Sequence, residues 1–169
     1  VVEEGYLFGA VVIDAKLFLP QSRPRLFIIC VRPDISVPDW LASSTPSKQW
    51  HPDSLLSVHE KLKPEVKSHW LWWHLDKPPV RSKNFIDIIE ESPKGVKWHT
   101  TEQTNKILSM MSDVNLKKVE VAKASGNRMV GAIYRRTRNN IQRAEVRFDD
   151  IAGCLRTPSG GSSRQSIMI

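Results

Sequence analysis

The sequence predicts a mixed α/β fold, in which two strands from the edge of a larger sheet precede a small α+β domain. Two apolar runs rich in β-branched residues, 7–13 and 25–32, each have the length of a buried strand. Helical patterns follow, and alternating apolar and polar residues near the end predict a hairpin. We place the boundary so that residues 1–35 form one domain and residues 36–169 form the other.

The two early strands flank a polar loop that contains Pro20 and Pro24. Proline fixes φ and lacks a backbone N–H, so this loop cannot continue a central strand. Both runs are apolar along their whole length, which predicts two buried strands. Two such strands cannot make a core, and we therefore expect the rest of their sheet to lie elsewhere.

Residues 36–79 are rich in Pro, Ser, Trp and His, with a dense aromatic stretch at 69–74. One interpretation is a stacking platform for nucleobases. The other, which we favour because Trp buries a large area, is the aromatic core of a small irregular domain. The five histidines lack metal-ligand spacing with Cys or carboxylates, so no metal site is predicted.

Three short helices are predicted between residues 84 and 126. The first covers 84–91, the second starts at Thr100 with the capping-box partner Gln103, and Asp113 caps the third, which ends at Ser125-Gly126. Their expected buried residues are Phe85, Ile88, Ile89, Ile107, Leu108 and Met111.

A β-hairpin is predicted from strands 129–136 and 142–148 around an Arg-rich tip at 137–141. Alternation places Ala144, Val146 and Phe148 on one face and Arg143, Glu145 and Arg147 on the other. A strand from Ile151 then runs into a loop dense in Gly, Ser, Arg and Gln. Such a loop offers backbone N–H groups, hydroxyls and guanidinium groups to phosphates and base edges, although a flexible linker has a similar composition.

The distribution of charge along the chain agrees with phosphate contacts made by the hairpin and the loop that follows it. Residues 1–112 carry 14 Lys and Arg against 13 Asp and Glu, whereas residues 113–169 carry 11 against 5. A basic region of this kind suits phosphate contacts, and a merely solvated basic face is the alternative. Because the chain has no long apolar run and opens with acidic residues, we expect no membrane partner and an intracellular protein with reduced cysteines.

Two segments together resemble the DNA (cytosine-5) methyltransferases. Residues 20–29, Pro-Gln-Ser-Arg-Pro-Arg-Leu-Phe-Ile-Ile, are similar to the family's Pro-Gln-x-Arg-x-Arg block, which also follows a Gly-Tyr and a strand. Residues 134–148 and 154–165 resemble the end of the target recognition domain in bacterial members. The resemblance implies edge strands of an S-adenosylmethionine-dependent, Rossmann-like methyltransferase sheet joined to a mixed α+β target recognition domain.

The resemblance also implies residue roles in base flipping. Arg25 would donate to O2 of the flipped cytosine, Arg23 would contact a flanking phosphate or the catalytic loop, and Gln21 would hold that loop. An always-charged planar donor suits a developing negative charge, and ordinary strand-end charges are the alternative. The residues expected to contact DNA are Arg135, Arg136, Arg138, Arg143, Arg156, Thr157, Ser159, Gly160, Gly161, Ser162, Ser163, Arg164 and Gln165.

Several parts of the family pattern are missing from this chain: the Gly-rich cofactor motif, the Pro-Cys-Gln nucleophile loop, the Glu-Asn-Val block and the closing blocks. We therefore expect a fragment that is inactive alone, with S-adenosylmethionine bound by absent parts. Its expected partners are double-stranded DNA and the complementary part of the enzyme, in the cytoplasm and nucleoid of a bacterium with a restriction-modification or orphan modification system. The alternatives are a non-catalytic, sequence-specific DNA-binding module and a metal-dependent nuclease built around Glu145, Asp149 and Asp150.

Overall fold

The computed structural model describes residues 2–155 and 165–169, and for Arg138 the backbone alone. Contacts group the chain into two compact units. Unit 1 comprises Val1–Leu17 and Pro24–Pro79, and unit 2 comprises Phe18–Arg23 and Val80–Ile169. A six-residue segment of unit 2 is thus inserted between two parts of unit 1. The domain boundary predicted after residue 35 would separate the catalytic part of a longer enzyme from its recognition part, and it stays a prediction.

Unit 1 is built on an antiparallel strand pair. Strand β1 (Leu7–Asp14) pairs with β2 (Pro24–Val31) from Leu7 opposite Val31 to Asp14 opposite Pro24, and β1 ends in a 3₁₀ turn at Ala15–Leu17. The other edge of β1 bonds to the Trp-rich part of unit 1: the Phe8 N–H donates to the His69 carbonyl at 3.0 Å, and the Val12 N–H donates to the Trp50 carbonyl at 2.8 Å. Strand β1 is therefore the interior strand of unit 1.

Strand β2 is exposed, contrary to the prediction of a second buried strand. Leu26 is 55% exposed, Ile28 is 64% exposed, and Phe27 and Ile29 on the opposite face are exposed as well. The prediction is wrong for the described residues because none of their strands other than β1 pairs with β2 and both of its faces are open to solvent.

The rest of unit 1 forms an aromatic core. A 3₁₀ turn at Asp39–Leu41 leads into β3 (Ala42–Ser43), which pairs with β4 (Trp72–Trp73), and α1 (Asp53–Glu60) and α2 (Pro64–Lys67) lie between these strands in the chain. Val11, Trp50 and Trp73 are buried together. Trp70 and Trp72 are half-buried and meet edge to face at 5.4 Å. This packing favours the structural interpretation of the aromatic stretch.

Unit 2 begins, after its inserted segment, with irregular chain. Residues 84–91 form a single 3₁₀ turn at Ile86–Ile88, so the predicted helix is wrong. The backbone is already extended at Ile89, which ends the turn, and Ile88 is exposed. Phe85 is buried as predicted, and the N–H of Ile86 donates to a carboxylate oxygen of Asp150 at 2.9 Å.

Two helices follow. Helix α3 (Thr101–Ser109) has the predicted capping box: the Gln103 N–H donates to Thr100 Oγ1 at 3.3 Å, and the Thr100 N–H donates to Gln103 Oε1 at 3.0 Å. Helix α4 (Asp113–Ala124) begins one residue before the prediction, since Ser112 is the N-cap and Asp113 is the first helical residue. The predicted end is confirmed, because Gly126 has a φ of +66° just beyond the helix.

A three-stranded antiparallel sheet completes unit 2, in the order β6-β5-β7: β5 is Gly131–Arg138, β6 is Ile141–Arg147 and β7 is Ser166–Met168. The hairpin between β5 and β6 is confirmed. Its turn is tighter than predicted, because Asn139 and Asn140 alone form it, both with positive φ. The predicted strand at Ile151 is instead a single bridge between Ala152 and Gln21.

The core of unit 2 lies between the helices and one face of this sheet. It unites apolar side chains of α3, α4, the corner between these helices, β5 and β6: Ile107, Met111, Val119, Ile133, Ala144 and Val146. The architecture is therefore mixed α/β with small antiparallel sheets. Within the part of the chain that the structure describes, every helix is too short or too polar to cross a membrane.

Candidate nucleic-acid interface

The inserted segment of unit 2, Phe18–Arg23, is held by the backbone of Ala152. The Ala152 N–H donates to the Pro20 carbonyl at 2.8 Å, and the Ser22 N–H donates to the Ala152 carbonyl at 2.9 Å. These two bonds form the bridge between Gln21 and Ala152. Gln21, predicted to hold a catalytic loop, therefore lies in a segment with fixed register against the chain that precedes residue 156.

Arg23 extends this connection by a side-chain bond. Its Nη1 donates to the carbonyl of Leu155 at 3.0 Å and lies 4.0 Å from Sγ of Cys154. Leu155 is 132 positions away in the sequence. Arg23 and Leu155 are therefore in contact, and each comes from one of the two segments that resemble the same enzyme family.

Gln165 lies at the same place. The N–H of Gly153 donates to Oε1 of Gln165 at 3.1 Å. A Cβ at position 153 would lie only 3.2 Å from that oxygen, so glycine allows the amide group its close approach. Gln165 was predicted to contact DNA, and that role stays a prediction. The predicted contacts from Arg156 to Arg164 fall outside the described residues.

Arg25 belongs to unit 1, where it lies opposite Ile13 near the start of β2. Its Nη1 donates to the carbonyl of the adjacent Pro24 at 2.7 Å, and the residue is exposed. The nitrogen of Pro24 has no hydrogen to donate. Its carbonyl oxygen accepts this bond and so fixes one edge of the Arg25 guanidinium. Further donors of the same planar group point in other directions.

The outward face of the hairpin is rich in arginine. Tyr134, Arg136, Arg143, Glu145 and Arg147 lie on it, and we call this set the arginine face. In the ladder Arg136 lies directly opposite Arg143, and Tyr134 lies directly opposite Glu145. The Arg136 guanidinium is 5.0 Å from the centre of the Tyr134 ring. The register of the ladder confirms the prediction that Arg143, Glu145 and Arg147 lie on the face opposite to the buried Ala144 and Val146.

The predicted DNA contacts on the hairpin divide between its two faces. Arg135 lies opposite Ala144, on the half-buried side that faces the helices, whereas Arg136 and Arg143 are exposed on the arginine face. The side chain of Arg138 lies outside the described part. Among the hairpin arginines whose side chains the structure describes, Arg136 and Arg143 are the two predicted contacts that lie directly opposite each other on one exposed face.

The hairpin is anchored along its outer edge. The Ala144 N–H donates to the Met110 carbonyl at 3.0 Å, the Val146 N–H donates to Oδ1 of Asn115 at 3.2 Å, and Lys118 Nζ donates to the Val146 carbonyl at 3.3 Å. Met110, at the end of α3, and two side chains of α4 thus satisfy polar groups of β6 that would otherwise form an open edge. Strand β6 presents its arginines from a backbone fixed on both sides.

The arginine face continues into the region that holds the inserted segment. Ala132 precedes Tyr134 by two residues on β5 and shares its face. Ala132 is buried in a cluster with Phe85, Val130 and Ala152. The arginine face and Ala152, which pairs with the inserted segment, therefore lie on the same side of the sheet.

Two of the acidic groups near the arginine face are engaged by its own side chains. The Tyr134 hydroxyl donates to Oε2 of Glu145, and burial together with this bond raises the pKa of Tyr134. Arg147 Nε donates to Oδ1 of Asp149 at 2.6 Å, and this bond lowers the pKa of Asp149. The charge of Arg147 is thus offset by its neighbour, which leaves Arg136 and Arg143 as the exposed cationic pair.

Each of the three carboxylates considered as magnesium ligands is bonded to another group of the protein. Glu145 is bonded to Tyr134, Asp149 to Arg147, and Asp150 to the Ile86 N–H. Across residues 2–155 and 165–169 no cluster of three or more His, Cys, Asp or Glu could hold a metal ion. The nuclease interpretation gains no support from this arrangement.

The described residues do not fit S-adenosylmethionine. A Rossmann-like cofactor site needs a strand that turns through glycines into a helix N-terminus. Strand β1 ends at Asp14 and leads into a three-residue 3₁₀ turn, and strand β2 is followed by bends rather than a helix. No step of a reaction is therefore assigned to a cofactor on these residues.

Comparison with protein-family models, with curated proteins and with solved structures found no match to this chain. Sequence reasoning missed Ala152 and Leu155 as partners of the inserted segment. Their contribution is made by backbone atoms, which leave no signal in residue type.

Proposed function

We propose that this chain is part of a DNA (cytosine-5) methyltransferase. In this proposal it recognises the target duplex and supplies Arg25 to O2 of the flipped cytosine, and a complementary polypeptide supplies S-adenosylmethionine and the nucleophilic cysteine. The observation that carries the proposal is the bond between Arg23 and the Leu155 carbonyl. It joins the two segments that resemble this family.

The chemistry gives a reason for the two segments to adjoin. An enzyme that modifies C5 of cytosine must turn the base out of the duplex and hold it while the flanking DNA stays bound. The groups that hold the base and those that bind the flanking strand must therefore be connected rigidly. Within unit 2, the pairing of Pro20–Ser22 with Ala152 and the bond from Arg23 to Leu155 fix the start of the first segment against the chain that leads into the second.

The arginine face supports a DNA partner. Two like charges placed directly opposite in an antiparallel ladder repel each other and cost stability. A phosphate bound between Arg136 and Arg143 turns this repulsion into attraction, since guanidinium groups bind phosphate through paired hydrogen bonds. A duplex backbone presents phosphates in regular rows and suits such a pair on a fixed strand.

Strand β2 supports a complementary polypeptide. It is apolar on both faces, as strands buried on both faces of an α/β sheet are, yet here it is exposed from Pro24 to Cys30. A partner that adds a strand and a covering layer would bury this surface. We propose that the missing part of the methyltransferase does so.

The first experiment measures binding of the chain to a fluorescent duplex of about 30 base pairs by anisotropy over a range of salt concentrations. The double variant Arg136→Gln and Arg143→Gln should bind more weakly and lower the salt slope by about 2. The matched control is Lys94→Gln with Arg128→Gln, which removes the same charge from exposed positions of unit 2. If both double variants lost the same DNA affinity, general charge attraction would explain the binding and no specific site at Arg136 and Arg143 would be needed.

The second experiment measures methyl transfer from radiolabelled S-adenosylmethionine to duplex DNA by this chain mixed with a polypeptide that carries the missing motifs. Arg25→Ala should abolish transfer and leave DNA binding unchanged. Undiminished transfer by a folded Arg25→Ala variant would make the catalytic role wrong.

A non-catalytic DNA-binding module is the second candidate, and the arginine face favours it because that face requires no reacting group. The same two experiments separate the candidates. A module of this kind binds DNA with the salt dependence described above, and no added polypeptide gives methyl transfer.

A further inference from the structure

Strand β2 has an open backbone edge. The N–H of Val12 bonds to Trp50 on the side of β1 that faces away from β2. The neighbouring Val11 therefore bonds towards β2, where it lies opposite Phe27. Because bonding directions alternate along a strand, the backbone N–H and C=O groups that point outward from β2 are those of Leu26, Ile28 and Cys30, which we call the outer set. In the described part of the chain no strand other than β1 pairs with β2.

The outer set is complementary to itself. When two copies of β2 pair antiparallel about a two-fold axis, one register alone matches the outer set entirely with the outer set of the second copy. It places Ile28 opposite Ile28 of the second copy, and Leu26 opposite Cys30. A shift in one direction brings in Pro24, which has no N–H to donate. A shift in the other direction passes Val31, the last residue of the strand.

The side chains of β2 suit this register. On one face the two copies of Ile28 meet, and Leu26 meets Cys30. On the other face Phe27 meets Ile29. All five side chains are exposed in the single chain. Apolar and aromatic pairs directly opposite each other stabilise a ladder, so pairing would cover both open faces of β2 at once.

The charges of β2 do not oppose this pairing. Arg25 is its one charged residue and would lie opposite Val31 of the second copy, so the two arginines lie at opposite ends of the ladder. An exposed, apolar edge strand is a template for another strand. A two-fold pair uses the whole outer edge of both copies and therefore closes at two chains.

We infer that two copies of this chain pair through β2 into a four-stranded sheet of order β1-β2-β2-β1, with Ile28 on the two-fold axis. The inference goes beyond the proposed function and does not depend on it. The complementary polypeptide proposed above would compete with the second copy for the same strand, so the pair is the form of the chain without that polypeptide.

The first test is sedimentation velocity of the full chain, without DNA, from about 1 to about 100 μM, where a monomer should convert reversibly to a dimer. Ile28→Asp and Ile28→Lys each place two like charges opposite each other on the axis and should raise the dimer Kd at least about tenfold. An equal mixture of the two variants sets unlike charges opposite each other and should dimerise about tenfold more tightly than either alone. Val121→Asp, at an equally exposed position on α4, should keep the wild-type Kd.

A disulfide trap tests the register with a milder change. Leu26→Cys places a thiol opposite Cys30 of the second copy, at a Cα separation of about 5.5 Å that a disulfide can span. Oxidation in air with copper–phenanthroline should link two chains of this variant. The wild-type chain, in which Cys30 lies opposite Leu26, should stay unlinked, as should Leu26→Cys combined with Cys30→Ser.

A chain that stays monomeric up to about 100 μM, or that grows beyond two copies, would overturn the inference. A dimer that both Ile28 variants leave intact, that their mixture fails to restore, or that Leu26→Cys does not link is formed differently and also overturns it. Circular dichroism verifies that each variant is folded. Since these assays contain neither DNA nor a complementary polypeptide, their failure leaves the proposed function as it stands, and a failure of DNA binding or methyl transfer leaves the dimer as it stands.

Discussion

Arg136 and Arg143 lie directly opposite each other in the β5–β6 ladder, two like charges on adjacent strands of one exposed face. Directly opposed residues are the closest cross-strand neighbours in an antiparallel pair. The hairpin would be more stable with one acidic residue at either position. A pair that lowers stability and lies on an anchored strand is placed as an anion site would be.

Arg143→Glu should therefore raise stability and lower DNA affinity together. The new Glu faces Arg136, and replacing repulsion by attraction should stabilise unit 2 by about 0.2–1 kcal/mol. The same change puts a negative charge where a phosphate is proposed. Urea unfolding monitored by circular dichroism, and anisotropy with a labelled duplex, measure the two effects.

Arg128→Glu is the control for this variant, since it makes the same change in charge at an exposed residue outside the ladder. It should alter stability little and affinity less. A loss of both stability and affinity in Arg143→Glu would contradict the anion-site interpretation.

The capping box of α3 predicts a local loss of stability in Thr100→Ala. The Thr100 hydroxyl accepts the Gln103 N–H, and without it that donor at the helix start loses its partner. The free energy of unfolding of unit 2 should fall by about 1 kcal/mol. Thr101→Ala, one residue inside the helix, should change it by less, because alanine is the better helix former there. Equal losses in the two variants would show that the hydroxyl does not act as a cap.

Gly9 is predicted to be indispensable for unit 1. A Cβ at this position would lie 2.0 Å from the Leu71 carbonyl oxygen and 2.8 Å from Nε1 of Trp73. Gly9→Ala must therefore separate β1 from the Trp-rich chain, at a cost of about 3 kcal/mol, the upper end for overpacking. Trp fluorescence during urea unfolding reports this, since five of the six Trp residues lie in unit 1.

Gly95→Ala is the contrast to Gly9→Ala. Position 95 has open space around it and a φ of +73°. Only backbone strain opposes alanine there, and the cost should be about 1 kcal/mol. A smaller effect at Gly9 than at Gly95 would mean that β1 does not pack closely on Leu71.

Acid should destabilise unit 1 through His51. This residue is 1% exposed, and burial lowers its pKa; its Nδ1 also accepts the Ser47 N–H at 2.8 Å. Burial and a charge repulsion from Lys67 lower the pKa of His59 as well. As the pH falls below about 6.5 the unfolded chain takes up protons that the folded unit does not, so stability decreases until the lowered folded-state pKa is reached.

The measurement is the urea midpoint of Trp fluorescence at about pH 7.5 and about pH 5. His51→Gln cannot titrate, and its midpoint should change less between the two pH values than that of the wild type. His74→Gln, at an exposed position, should keep the wild-type change. If His51→Gln also keeps it, the proton uptake belongs to other groups.

A change on the exposed surface of β2 is expected to impair complementation by the partner polypeptide without affecting DNA binding. Ile28→Asp places a charge on the exposed apolar surface of β2, where burial by a partner would then carry a desolvation cost. Methyl transfer with the complementary polypeptide should fall at least tenfold, about 1.4 kcal/mol of lost binding, while DNA binding stays the same. Val114→Asp, an equally exposed apolar residue on α4, should leave transfer unchanged.

The features that could be predicted from the sequence were those with local signals. The capping box at Thr100, the alternation of Ala144 and Val146, and the end of α4 before Gly126 depend on residues a few positions apart, and all three are confirmed. Strand β7 has only three residues, too few to show a period, and was missed. The buried state predicted for β2 was wrong because apolar composition indicates what a strand prefers, whereas burial requires a covering layer.

The candidate interface was predictable in part. Alternation separated the arginine face from the core, but it could not show that Arg136 and Arg143 are directly opposite, because the two-residue turn at Asn139-Asn140 sets that register. The pairing of the inserted segment with Ala152 joins two irregular stretches through backbone atoms alone. Neither stretch has a residue pattern that identifies its partner.

The insertion of Phe18–Arg23 within the sequence of unit 1 has a consequence for synthesis on the ribosome. All residues that unit 1 needs have been made once Pro79 is complete, so this unit has its full set of contacts early. The loop between β1 and β2 must then wait, with its backbone donors and acceptors solvated, until Ala152 and Leu155 emerge. Bringing together residues so far apart in the sequence carries a loop-closure entropy cost, and a chain truncated before residue 152 would leave unit 2 unable to hold Arg23 through Leu155.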